Sequence, residues 1–146
     1  MLWVVQPEIE MWLQTLPEEI RKSCHVQGRL PRQDVLELLS RARVMLAPSL
    51  LDGTPNSLLE AMALGAFPIV SPLETITPLV NDPENVFFGR NLYPEELASA
   101  LGKAMTDDAA IDRAAKENLE LVRRTADRSK IAPRVVDYYS NLANKK

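Results

Sequence analysis

The chain has 146 residues, of which 46% are hydrophobic and 25% are charged, and its formal net charge is −3. This length suits one globular domain, and the slight negative charge argues against a nucleic-acid-binding protein, which usually carries a basic face. With one cysteine and one histidine, the chain has no internal disulfide and no cysteine–histidine site for a structural metal.

The amino-terminal sequence MLWVVQPEIE is not typical of a secretory signal, because its apolar run ends at Val5 and no basic residue precedes it. The longest apolar run, at residues 61–70, contains Gly65 and Pro68 and is far shorter than the roughly 20 residues of a membrane span. The lone Cys24 fits a reducing compartment. These features predict a cytoplasmic protein without a membrane span.

Five short runs are predicted to be strands, at residues 2–5, 25–28, 44–47, 67–70 and 86–88. Most of these runs are continuously apolar, which is typical of parallel strands covered on both faces. Between the strands, residues 31–43 and 94–105 carry apolar side chains at helical spacing. This alternation predicts an α/β fold with an open, doubly wound parallel sheet of the Rossmann type.

The carboxyl-terminal segment, residues 107–146, is predicted to be helical and to add helices to this single domain of residues 1–146. The helix at 107–125 is expected to turn five residues inward: Ile111, Ala115, Asn118, Leu119 and Val122. The helix at 131–143 has its own apolar stripe, which is expected to cover either this core or a partner. Because the first predicted strand starts at residue 2, the first βα unit of a Rossmann sheet is expected to be missing.

The segment 49–65, SLLDGTPNSLLEAMALG, places two acids, Asp52 and Glu60, eight positions apart. It follows the strand at 44–47, so Asp52 is expected at the carboxyl edge of the sheet, where open α/β folds bind ligands. Asn56 or Ser57 is predicted to cap a helix that ends before Gly65. The first-turn N–H groups of this helix would offer partial positive charge to an anionic or hydroxyl-rich ligand.

Glu60 lies about one turn inside this helix. Because helical side chains lean toward the amino terminus, its carboxylate can reach the first turn, where the free N–H groups lie. Its apolar neighbours predict a helix that is buried all round, in which a charged glutamate needs a partner. Purely structural roles are open as well. Glu60 could form a capping box, and Asp52 could be a turn aspartate before Gly53. A phosphatase of the haloacid dehalogenase type is excluded. In that pattern a nucleophilic aspartate lies two positions before the DGT aspartate, and this chain has Leu50 there.

The sequence PSLLDGTPNSLLEAMALGAFPIVS resembles the signature of the family 4 (group 1) glycosyltransferases, in which an acid, seven residues and a glutamate precede A-x-A-x-G and a proline-containing strand. The flanking sequences HVQGRLPRQDVLELLSRARVMLAPS and NLYPEELASALGKAMTD are similar to neighbouring parts of that family. The resemblance covers nearly the whole chain.

This resemblance implies the carboxyl-terminal, donor-binding half of a two-domain GT-B enzyme, which transfers a hexose with retention from a nucleoside-diphosphate sugar and needs no metal or other cofactor. Asp52 would be the catalytic residue and would lie near the transferred sugar, and Glu60 would hold the ribose hydroxyls. The remaining donor-binding residues would be Gly53, Thr54, Pro55, Asn56 and Ser57 in the loop, Gly28, Arg29 and Leu30 near the base, and Thr75 near the diphosphate.

Three departures from the family pattern accompany the resemblance. Asp52 stands where the family usually has glutamate, the expected glycine turn reads Gln6-Pro7-Glu8, and the family's diphosphate-gripping basic residues would precede Met1. The chain is also expected to lack the family's acceptor-binding domain, which would act in cis or in trans. This chain alone is therefore expected to be inactive or slow. Alternatives are a non-catalytic nucleotide-binding module or a partner subunit of a split enzyme. Half of a sugar-nucleotide epimerase is disfavoured because acid–base residues are few.

Overall fold

A computed structural model describes residues 7–144 of the chain, so the predicted strand at residues 2–5 lies outside the described residues. The chain divides into two compact units, Met1–Val35 and Leu36–Lys146. The prediction that residues 1–146 act as one donor-binding domain stays a prediction.

In the described part of the first unit, residues 7–35, the regular elements are helices. This unit contains α1 (Pro7–Thr15), α2 (Glu18–Lys22) and the start of α3 (Arg32–Arg41). The predicted strand at 25–28 is wrong, because this segment has no regular secondary structure. Val26 is its only apolar side chain and is 43% exposed, so burial provides little to offset the entropy lost in ordering a strand.

The second unit is built on a parallel sheet with the strand order β1-β2-β3, formed by Val44–Ala47, Phe67–Val70 and Phe87–Phe88. In its register Val44 lies opposite Phe67, and Ile69 lies opposite Phe87. Every residue of the central strand β2 is buried, as expected for a parallel strand covered on both faces. The predicted α/β fold and the predicted strands at 44–47, 67–70 and 86–88 are thereby confirmed, although the third strand is shorter than expected.

Helices α4 (Asn56–Leu64), α5 (Pro94–Thr106) and α6 (Asp108–Thr125) cover the sheet. Side chains alternate between the two faces of a strand, and β2 accordingly contributes to two hydrophobic clusters. Val70 packs in the first cluster with Leu58 and Met62 of α4. Ile69 packs in the second cluster with Ala104 of α5. This packing on both faces is the doubly wound arrangement predicted from the sequence.

The inward face of α6 differs in part from the prediction. Ile111 and Asn118 are buried as expected, but the other buried residues are Ala114 and Leu121. The three remaining predicted residues, Ala115, Leu119 and Val122, are only half-buried. They belong to an adjacent stripe of the same helix, so the apolar pattern identifies the correct side of α6 but not its exact rotation.

The last helix, α7 (Arg128–Ala143), has no buried residue. Tyr138 and Tyr139 are 62% and 66% exposed. Their rings pack edge to face, with 5.6 Å between the ring centres. The apolar stripe of α7 was expected to cover either this core or a partner. Because no residue of the helix is buried, the stripe does not cover the core, and a partner on it stays a prediction. In the range 7–144, no helix combines the length and the apolarity that a membrane crossing requires.

Candidate functional site

The loop that carries Asp52 joins the carboxyl end of β1 to α4, and Asp52, Gly53 and Thr54 are all exposed in it. Pro55 is the N-cap residue of α4, with φ −69° and ψ 133°, and its side chain makes no cap hydrogen bond. The prediction that Asn56 or Ser57 caps the helix is wrong. The fixed φ of proline and its missing N–H suit the start of a helix, so Asn56 and Ser57 become its first two helical residues.

This start leaves polar backbone groups at the carboxyl edge of the sheet. The Pro55 carbonyl accepts a hydrogen bond from the Leu58 N–H at 3.1 Å. The N–H groups that begin a helix have no intrahelical acceptor and carry the positive end of its dipole. Since the Pro55 side chain makes no cap hydrogen bond, the N–H groups of Asn56 and Ser57 can be presented to an anion.

Helix α4 is buried on one face only. Leu58, Ala61 and Met62 are buried, whereas Ala63 is exposed and Glu60 is half-buried. The expectation of a helix buried all round is therefore wrong. The helix ends at Gly65, whose φ of +87° is left-handed, in agreement with the prediction for this glycine.

The loop after β2 meets the Asp52 loop through two threonine hydroxyls. Thr54 Oγ1 donates a hydrogen bond to the Thr75 carbonyl at 3.2 Å, and Thr75 Oγ1 donates to the Asp52 carbonyl at 2.9 Å. The structure thus brings together three residues that the sequence analysis assigned to the donor site.

Ser71 joins the ends of all three strands, and the sequence analysis did not assign it to the site. Its buried hydroxyl accepts hydrogen bonds from the backbone N–H groups of Ser49 at 3.1 Å and Asn91 at 3.2 Å. The same hydroxyl donates to the Gly89 carbonyl at 3.3 Å. A small polar residue directly after a fully buried strand is the sequence signal that could have identified it.

Arg90 follows β3 but is engaged by another side chain. Its Nε lies 2.9 Å from Glu96 Oε1, its backbone N–H donates to Glu96 Oε2 at 3.1 Å, and its guanidinium lies 4.0 Å from the centre of the Tyr93 ring. The hydrogen bonds from Arg90 hold the pKa of Glu96 below its ordinary value. The Arg90 guanidinium is therefore bound by Glu96 and stacked on the Tyr93 ring.

Gly28, Arg29 and Leu30 belong to the first unit and lie between α2 and α3, with Gly28 and Arg29 exposed and Leu30 half-buried. Their contact with a nucleotide base stays a prediction. Across residues 7–144, no three side chains of His, Cys, Asp or Glu are grouped so that they could hold a metal ion.

Comparison with known proteins gives a family match and a structural match. The family model described as glycosyl transferases group 1 matches residues 10–121. A solved structure, the sucrose-phosphate synthase of Thermosynechococcus elongatus, is 21% identical in sequence with a TM-score of 0.87. The match covers 96% of this chain and 35% of that one, so the chain spans about a third of the length of this GT-B enzyme. No curated protein matches significantly.

Proposed function

Because the chain belongs to the group 1 glycosyltransferase family, we propose that it forms the part of a retaining glycosyltransferase that binds the nucleotide-sugar donor. The family named from the sequence motif is confirmed, and the structural match confirms the fold as that of a GT-B enzyme. One observation carries the proposal: the Asp52 loop, the start of α4 and the Thr75 loop converge at the carboxyl edge of a parallel sheet. Ligands of open α/β folds bind at this edge.

The groups at this edge suit a nucleoside-diphosphate sugar. The start of α4 can accept the diphosphate through backbone N–H groups, with the helix dipole supplying partial positive charge. Glu60, half-buried about one turn further along, can accept hydrogen bonds from ribose hydroxyls. Asp52 is exposed, and its carboxylate can stabilise positive charge that develops on the transferred sugar.

The acceptor is proposed to bind to a second domain, supplied in cis or in trans. Transfer needs both substrates held in one geometry, and this chain corresponds to 35% of the matched enzyme. We expect residues 1–146 alone to bind a nucleoside diphosphate weakly and to transfer sugar slowly or not at all. A transfer rate equal to that of complete family members would contradict this expectation.

Calorimetric titration with UDP, GDP and ADP tests the donor site. We expect saturable binding of one nucleotide that becomes about 10-fold or more weaker in Glu60→Ala, because hydrogen bonds to charged groups contribute about 1.5–3 kcal/mol. Glu117→Ala, which removes an exposed carboxylate of α6, is the matched control and should bind as the wild type does. Absence of binding to all three nucleotides, or equal affinity in Glu60→Ala, would contradict the proposal.

A second candidate function is a non-catalytic nucleotide-binding module or one subunit of a split enzyme. The exposed apolar side chains of α7, among them Val136 and Tyr139, favour it because such side chains are common at interfaces. Sedimentation at several concentrations distinguishes this candidate. A monomer at every concentration, combined with measurable sugar transfer, would remove the support for it.

A further inference from the structure

The hydroxyl groups of Thr54 and Thr75 are both used within the protein. A threonine hydroxyl carries a single hydrogen and can therefore donate one hydrogen bond. Thr54 gives its hydrogen to the Thr75 carbonyl, and Thr75 gives its hydrogen to the Asp52 carbonyl. Neither hydroxyl can donate to a phosphate oxygen while these bonds exist.

These bonds hold a part of the loop that packing does not hold. Leu51 is 92% exposed, and a Cβ placed on Gly53 would meet no atom within 4 Å. The base of the same loop is fixed separately, because the Ser49 N–H donates to the buried Ser71 hydroxyl at 3.1 Å. The tip of this loop, residues 51–54, therefore depends on the two threonine hydroxyls for its position.

We propose that Thr54 and Thr75 are positioning residues, which fix the backbone of Asp52 against the loop after β2 and thereby set the place of the Asp52 carboxylate. This inference rests on the proposed function for its effect on the donor, but not for its effect on the loop. It concerns the two hydroxyl groups, and the expectation that Thr54 and Thr75 contact the donor through other groups stays a prediction.

The first test measures the order of the loop in the unliganded chain by ¹⁵N relaxation at the Gly53 and Thr54 amides. Thr75→Val removes the hydroxyl and keeps the branched shape, and we expect it to lower the order parameters at both amides. Thr75→Ser restores the hydroxyl and should restore the wild-type values. Thr77→Val, at another exposed threonine of the same loop, is the matched control and should change neither amide.

Two further variants test the pairing of the threonines. Thr54→Val should loosen the same amides as Thr75→Val, because either change removes one of the two bonds between the loops. The double variant should loosen them by less than the sum of the single effects. Unchanged order parameters in both single variants would overturn the proposal.

The second test compares two ligands, a nucleoside diphosphate and the corresponding nucleoside-diphosphate sugar. If Thr75 positions Asp52, Thr75→Val should weaken binding of the sugar-bearing ligand about five-fold, the size of one hydrogen bond, and leave the nucleoside diphosphate unaffected. Equal weakening of both ligands with an unchanged loop would overturn the proposal in favour of direct phosphate contact. If the wild type binds neither ligand, the proposed function fails, and the order parameters still decide the positioning role.

Discussion

The Ser71 hydroxyl makes three hydrogen bonds at the place where the three strands end. It joins the backbone of Ser49, Gly89 and Asn91. We expect Ser71→Ala to lower the free energy of unfolding by about 1–3 kcal/mol, because the N–H groups of Ser49 and Asn91 lose their acceptor. Urea denaturation measures this change. Ser99→Ala, at an exposed position of α5, is the control and should stay within about 0.5 kcal/mol. Equal values for the two variants would contradict the role of Ser71.

The pair formed by Arg90 and Glu96 predicts a pH dependence. The pKa of Glu96 is lowered, first by the side-chain hydrogen bond from Arg90 and then by the Arg90 backbone N–H. A lowered folded-state pKa means that the pair stabilises the fold above the unfolded pKa of the carboxyl, and that this contribution disappears as the pH falls through the folded pKa.

In Arg90→Gln we therefore expect the pKa of Glu96 to rise toward its ordinary value, as followed by carboxyl ¹³C chemical shifts during an acid titration. The stability difference between Arg90→Gln and the wild type should shrink at acid pH. Arg134→Gln, on exposed α7, is the control and should leave the Glu96 titration unchanged. A Glu96 pKa that is the same in Arg90→Gln and the wild type would show that the pair does not form in solution.

At the level of secondary-structure elements, two glycines predict opposite effects of the same substitution, one just past the end of α4 and one inside α5. Gly65 ends α4 with φ +87°, whereas Gly102 lies inside α5, and a Cβ added at either position meets no atom within 4 Å. Gly65→Ala should cost about 1–2 kcal/mol because alanine is strained in the left-handed region. Gly102→Ala should stabilise by about 0.5–1 kcal/mol through helix propensity. Thermal unfolding of both variants checks the signs, and a stabilising Gly65→Ala would contradict the assigned end of α4.

The elements show where sequence patterns are sufficient. The fully apolar strand β2 and the long helices α5 and α6 could be predicted, because burial on both faces and the helical repeat leave clear patterns. Helices α1 and α2 match no predicted element, although Ile9, Trp12, Leu13 and Leu16 stand at helical spacing. The segment 25–28 was predicted as a strand from its place in the alternation, although it holds one apolar residue.

The candidate site, too, could be predicted from the sequence only in part. The position of Asp52 after β1 followed from the sequence, because parallel strands place their carboxyl ends at one edge. The contacts among Asp52, Thr54 and Thr75 span more than 20 residues and are set by loop conformations that have no periodic signal. The predicted N-cap of α4 was wrong, because Asn56 or Ser57 was expected to cap the helix, whereas Pro55 takes the N-cap position.

At the scale of the whole molecule, the stability of the second unit is expected to depend on the clusters around the sheet and not on α7. Met62, which is 0% exposed, packs in the first cluster, whereas Tyr139 is 66% exposed. Met62→Ala should lower the free energy of unfolding by about 2–5 kcal/mol. Tyr139→Ser should change it by less than about 0.5 kcal/mol. Urea denaturation at low protein concentration compares the two, and a large loss in Tyr139→Ser would show that α7 is packed in solution.

The most direct test of the central claim, that the donor binds at the carboxyl edge of the sheet, is amide chemical-shift mapping during titration with UDP, GDP and ADP. We expect one nucleotide to shift the amides of the non-proline residues among 52–58 and 71–77 at saturation, while the amides of α7 keep their chemical shifts. Shifts that are confined to other surfaces, or the absence of saturable shifts with all three nucleotides, would contradict it.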